Sequence, residues 1–354
     1  MAAAPKLLIT DFDNHVLDPK GPPPCFSELL DAPMRFSKEL DKYKRFVKSE
    51  PAEASTTEFA VDSSIPVTHA IGVFRAKIQP AWHLFEWARW HAHGCVKDTA
   101  KSPLYIWANQ FDRVQKEADY KKKPVTWPIA RQALWYKSGG ITEMCPYVCF
   151  GWVSQAASIV LEERSSFHVL DLSAGWGARA IAYAAWEDRN EDVESSYTGV
   201  DPDVNLVKPF EALKDVLSWP SEEYPMFFYN EALEDFVPPR KYDLLMLSLP
   251  RFGVEKYAVD TPNEAAQPHM RYRSDVDPAH LSVSKFVKAM CSSMVRLLEA
   301  TDAVELQLFV DSRDDDYALD IVETLTDELE AVGMIKIVSG TYMTPVIRFR
   351  RTAA

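Results

Sequence analysis

Short apolar runs bounded by turn residues recur through the second half of the chain, and stretches with apolar residues at helical spacing fall between them. The runs predict strands over His168 to Leu172, Ser196 to Val200, Met226 to Asn230, Tyr242 to Ser248, Val304 to Asp311, Ile335 to Gly340 and Val346 to Arg350. The helical stretches are Ala178 to Trp186, Asn205 to Val216, Val283 to Glu299 and Asp316 to Val332, with one more before the first strand at Tyr147 to Glu163. Strands alternating with helices predict a Rossmann-like α/β sheet of seven strands. The last two runs adjoin through the short TYMTP turn, so they are expected as an antiparallel pair closing one edge.

The first half reads differently. Pro-rich turns at Gly21 to Pro24, a charged helical stretch at Phe36 to Lys48 and an acidic segment at Ser49 to Glu58 predict an arm and a loop rather than core. From Pro80 to Cys95 the aromatics Trp82, Phe85, Trp87 and Trp90 recur at mostly helical spacing, and another helix is expected between Pro103 and Tyr120. The expected organisation is a mainly helical N-terminal extension over 1–139 and an α/β domain over 140–354.

Composition narrows the class. A chain of 354 residues suggests two units, and 47% hydrophobic with 26% charged residues can bury a substantial core. No apolar run approaches the roughly 20 residues of a membrane span, and MAAAPKLLITDFD lacks a signal-peptide pattern. Five scattered cysteines fit reduced thiols, so an intracellular, reducing compartment and no membrane partner are expected. A net charge of -13 opposes non-specific nucleic-acid binding. The basic clusters Arg35 to Lys48, Arg113 to Lys123 and Arg348 to Arg351 could form local positive faces, although solvated helix faces are the commoner outcome.

The sharpest chemical signal is VLDLSAGWGARAIAYAA: a strand ending in Asp171, a small-residue turn with Gly175 and Gly177, then a helix. Glycine lets the backbone approach a ligand, and the helix N-terminus offers it unpaired N–H groups. The next strand ends in GVDPD, which places Asp201 where a carboxylate can accept both hydroxyls of a ribose.

With these motifs in order, the chain from about Gly140 to Arg351 resembles class I S-adenosylmethionine (SAM)-dependent methyltransferases, more closely the phage and large-virus type similar to amino-group (adenine or cytosine) DNA methyltransferases. ITEMCPYVCFGWV, DLSAGWGAR, YTGVDPD and a fourth-strand motif carry the resemblance. It implies SAM as cofactor, with Asp171, Ser173, Gly175 and Gly177 along its methionine part and Asp201 on its ribose. Thr142, Ala174, Trp176 and Pro202 join the same binding set, and Glu231 and Ala232 would flank the adenine. It further implies methyl transfer to an exocyclic amine of a nucleic-acid base, DNA before RNA, in a virus-encoded setting.

The fourth motif departs from the family. The strand runs into Ser248, Leu249, Pro250, Arg251 and Phe252, where relatives carry Ser-Pro-Pro-Tyr or Asp-Pro-Pro-Tyr. In those relatives the polar residue holds the target amine and the aromatic ring stacks on a flipped base. Ser248, Pro250, Arg251 and Phe252 are therefore the candidate catalytic set; Arg251 can stack on a base, Phe252 can supply a ring, and Leu249 relaxes the turn. Glu255 and Tyr257 keep the family pattern downstream.

Two alternatives follow. One is an inactive relative that serves as a structural or assembly subunit, viral or organellar, with protein partners docking through the N-terminal extension. The other is a Mg²⁺-dependent phosphatase, because LLITDFDNHVLD resembles the first motif of haloacid-dehalogenase enzymes with Asp11 as nucleophile and Asp13 as its acid-base partner. GPPP stands where that family begins its cap, which disfavours it. His83, His91, His93 and Cys95 offer metal ligands at short spacing but lack a second clear ligand pair, so packing or surface roles are expected and no metal site is assigned.

Overall fold

The computed structural model describes residues 65–72, 93–94, 111–126, 129–130, 133, 146–217, 225–248, 255–256, 279–310, 315–339 and 342–352. Its strands are β1 (Val67–Gly72), β2 (His93–Gly94), β3 (Ser166–Asp171), β4 (Glu194–Val200), β5 (Met226–Tyr229), β6 (Leu244–Ser248), β7 (Glu255–Lys256), β8 (Glu305–Phe309), β9 (Leu329–Ser339) and β10 (Tyr342–Arg351). The helices are α1 (Phe111–Lys121), α2 (Pro146–Leu161), α3 (Ala178–Glu187), α4 (Val207–Leu217), α5 (Ala279–Thr301) and α6 (Asp315–Thr326).

Eight strands form one sheet in the order β1-β9-β10-β8-β6-β3-β4-β5. All neighbours are parallel except at β10, which runs antiparallel to both β8 and β9. The chain thus lays β3, β4 and β5 outward in one direction, then returns to place β6 on the other side of β3. That reversal makes the carboxyl ends of β3 and β6 the topological switch point, where an open α/β sheet binds its ligands.

Both faces of the sheet are covered, which explains why its central strands read as nearly continuous apolar runs. Along β6, Leu244 and Met246 join the core under α2, α3 and α4, whereas Leu245 and Leu247 join the core under α5 and α6. The alanine-rich α3 is buried from Ala178 to Trp186, because small side chains let it sit close to the sheet and to α2.

Four sequence expectations need correction. The sheet has an eighth strand: β1, from a segment read as arm and loop, pairs in parallel with β9. The predicted helix Asp316 to Val332 ends at Thr326, and β9 begins at Leu329, because Leu329–Ala331 pair with Phe349–Arg351 of β10. Tertiary pairing there outweighs helix propensity. His93 and Gly94, assigned to an aromatic helical stretch, are extended and pair with Lys256 and Glu255. Finally, Arg348 to Arg351 are not a free positive face: they lie on β10, in the strand expected at Val346 to Arg350, where Arg348 and Arg350 both bind Glu305 and Arg351 binds Asp302 at 3.2 Å. Phe36 to Lys48, Asp11, Asp13, His83, His91 and Cys95 lie outside the described residues.

Glu305 is fully buried and organises this edge. It also accepts from Gln307, whose carbonyl oxygen accepts the Trp152 indole N–H at 2.7 Å. Arg348 reaches on to Thr68 Oγ1 at 3.0 Å, which ties β1 into the sheet. At Gly333 (φ +149) a side chain would be strained, and its Cβ would collide with the Thr68 side chain. Among the described residues, no helix is long and apolar enough to cross a membrane.

Candidate functional site

The turn after β3 is built by two residues in the left-handed region, Gly175 (φ 52) and Gly177 (φ 74). A residue with a Cβ is strained there, and glycine is not. Gly177 is the N-cap of α3 and supplies no side-chain cap, so the first N–H groups of the helix face the turn without one.

The Asp201 carboxylate, directly after β4, closes on this turn. Its Oδ2 accepts the Gly175 N–H at 2.9 Å and its Oδ1 accepts the Asp203 N–H at 3.0 Å. On the far side, the Asp201 N–H donates to the Tyr229 carbonyl at 3.1 Å, and Asn230 Nδ2 donates to the Asp201 carbonyl at 3.0 Å. The glycine turn, the end of β4 and the end of β5 therefore meet at one residue. Pro202 follows Asp201 half-buried; exposed Glu231 and buried Ala232 follow Asn230.

Burial raises Asp201 to about 7, with its two backbone donors pulling the other way. Each oxygen accepts one N–H there and keeps a further lone pair. Burial also raises Asp203 to about 6; its Oδ1 caps the following 3-10 turn, and its Oδ2 has no partner among the described residues.

Asp171 serves differently. Its carboxylate takes a two-pronged ion pair from Arg179 at 2.7 and 2.9 Å and the Tyr197 hydroxyl at 2.6 Å, all buried. Burial works against the Arg179 cation, but the charge and hydrogen bonds of Asp171, with the neighbouring Tyr197, together outweigh it and hold its pKa above the ordinary value. Arg179 also donates to the Ser173 carbonyl and, at 3.1 Å, to Ser173 Oγ. The ion pair thus fixes the first half of the turn from beneath.

At the mouth of the switch point, Ser173 Oγ bonds both main-chain groups of Ser248, the last residue of β6. Of the predicted residues, Asp171, Ser173, Ala174, Gly175, Gly177, Asp201 and Ser248 are joined by hydrogen bonds of the turn and the strand ends, and Trp176, Pro202, Glu231 and Ala232 adjoin these segments in sequence. Thr142, Pro250, Arg251 and Phe252 lie outside the described residues. Arg179, Tyr197, Asp203 and Asn230 were not anticipated. An arginine in an otherwise apolar, alanine-rich helix was the available signal for Arg179, since such a cation is buried only when paired. The Asx-cap pattern was the signal for Asp203.

No family model matches the chain, and no curated protein matches it. Among solved structures, it is similar to the N-methyltransferase NodS from Bradyrhizobium japonicum in complex with S-adenosyl-L-homocysteine, at 13% identity over 57% of this chain and 86% of that one, with a TM-score of 0.34. It is similar to the magnesium protoporphyrin IX methyltransferase of Synechocystis PCC 6803 at 12% identity, over 70% and 96% of the two chains, with a TM-score of 0.36. The METTL16 methyltransferase domain matches at 10% identity over 75% and 98%, with a TM-score of 0.39. The Rossmann-like fold rests on the strand order of the chain itself.

Proposed function

We propose that the chain binds SAM at this switch point and transfers its methyl group to an exocyclic amine of a nucleic-acid base. The observation that carries the proposal is the 2.9 Å contact between the Gly175 N–H and Asp201 Oδ2. It brings together the two motifs that sequence alone could only place in order: a bend open to a ligand and a carboxylate with lone pairs for a diol.

The residues present fit an adenosine carrying a charged amino-acid tail. Asp201 would accept the ribose hydroxyls, the Gly175 to Gly177 turn and the start of α3 would receive the tail, and Ala232 would supply an apolar wall for the adenine beside Glu231. When bound, SAM supplies an electrophilic methyl on a sulfonium. The chain needs to contribute position and exclusion of water rather than strong acid-base chemistry. Ser248, the first residue of the candidate acceptor motif, ends β6 and is bonded to the glycine turn through Ser173 Oγ. The pairing of His93–Gly94 with Glu255–Lys256 brings a backbone segment of the N-terminal extension beside the sequence that follows that motif, which supports a role for the extension at the acceptor side.

The test is transfer of labelled methyl from SAM to single- and double-stranded DNA and RNA, with Asp201→Ala as control. Incorporation that is stable in the wild type and lost in the variant supports the proposal. SAM binding without transfer to any polymer would favour the inactive assembly subunit, for which the Leu249 and Arg251 departures are the sequence evidence.

A further inference from the structure

The β3–β6 ladder ends at Asp171 and Met246, and main-chain groups beyond it need other partners. Leu172 N–H to the Met246 carbonyl, at 2.8 Å, is a backbone rung at the end of the pair. One step further along β6, a side chain takes over: Ser173 Oγ donates to the Ser248 carbonyl at 2.9 Å and accepts the Ser248 N–H at 3.0 Å. The same oxygen accepts from Arg179 at 3.1 Å.

A serine hydroxyl has one proton and two lone pairs. The proton and one lone pair are committed to Ser248, and the second lone pair faces Arg179 Nη2, which also donates to Asp171 Oδ1 and the Ser173 carbonyl; the hydroxyl is thus engaged chiefly with Ser248, although its motif position suggested cofactor contact. Arg179 is in turn held by Asp171, which Tyr197 also holds. A buried, charge-assisted network therefore fixes one end of the bridge, and the other end is the residue from which the candidate acceptor motif departs.

We propose that Ser173 is a positioning residue: its hydroxyl is a surrogate rung between β3 and β6 that fixes where the chain leaves the sheet at Ser248, and so where the acceptor motif lies relative to the cofactor turn. The functional half of this inference rests on the methyl-transfer reading; the structural half does not.

The experiment compares wild type, Ser173→Ala and Ser173→Thr as full-length chains, by amide hydrogen exchange, by calorimetric titration with SAM and by methyl-transfer rate at saturating SAM. In Ser173→Ala, exchange at the Ser248 amide should accelerate about tenfold, the effect of one lost hydrogen bond, while the Leu172 amide keeps its protection. SAM affinity should stay within about threefold, and the transfer rate should fall about 10- to 100-fold, as expected of a misplaced acceptor rather than a lost cofactor contact. Threonine keeps the hydroxyl and should restore both exchange and rate. Unchanged Ser248 exchange in Ser173→Ala would overturn the proposal. So would a tenfold or greater loss of SAM affinity with the rate at saturation intact, because Ser173 would then be a ligand contact. If the wild type fails to bind SAM, the methyl-transfer reading falls, and exchange at Ser248 still decides whether the surrogate rung exists. Should Ser173→Ala not fold, Ser173→Cys, with a weaker donor and acceptor, takes its place under the same criteria.

Discussion

Asp201 is the residue on which most of the site converges, and its protonation state should govern ligand affinity. With its pKa pushed up to about 7 by burial, it is mostly ionised at pH 8 and mostly protonated at pH 6. Only the ionised carboxylate accepts two hydroxyls without reserving an oxygen for its own proton, so SAM affinity measured by titration should weaken about tenfold from pH 8 to pH 6. A flat profile would show that Asp201 does not hold the ribose. Asp203 gives a stability counterpart. Burial raises its pKa to about 6, so its contribution favours folding at low pH and is lost as the pH rises through about 6. Asp203→Asn keeps an oxygen for the Asn205 N–H and removes the charge on an atom without a described partner. It should stabilise the protein by about 2–3 kcal/mol at pH 8 and by about half as much at pH 5, checked by denaturant unfolding at both values. At this scale the sequence was partly legible. Asp201 and the two glycines announce themselves by residue type and order, whereas the partnership of Asp171 with Arg179 and Tyr197 depends on a helix and a strand packing together, which local pattern does not encode.

Elements that bury both faces were easy to read, and those whose identity depends on a distant partner were not. β6 is recognisable because LLML has no polar interruption, and α3 because ARAIAYAAWE is rich in the strongest helix former and nearly all apolar. β1 was missed because exposed Val67 and Thr68 and half-buried His69 give no continuous apolar run, and its strand character comes from pairing with β9. What holds that edge is charge as well as pattern: buried Glu305 is answered by Arg348 and Arg350, and these bonds overcome the desolvation that would otherwise raise its pKa. Arg348→Leu should cost about 3 kcal/mol in denaturant unfolding, because it strands a buried carboxylate with only the more exposed Arg350 as cationic partner. Combining it with Glu305→Leu should recover much of that loss, since replacing both members of a buried pair leaves no orphan charge. Additive losses in the double variant would mean that the pair is not the source of the effect.

For the whole molecule, the strand order explains why the motifs, spread over the segment from Asp171 to Ser248, form one site. A sheet that runs outward from β3 and then returns beside it brings the glycine turn, the ends of β4 and β5 and the end of β6 together at the carboxyl ends of the strands. A strand from the N-terminal extension completes the opposite edge of the same sheet, so the extension and the α/β domain share a framework. Calorimetric titration of the full chain with SAM at pH 8, repeated on Asp201→Ala, tests the central claim most directly. The account predicts saturable one-to-one binding that the variant loses by at least about a hundredfold, the order expected for two hydrogen bonds to a charged group. Binding of equal strength in both proteins, or no binding in the wild type, would contradict it.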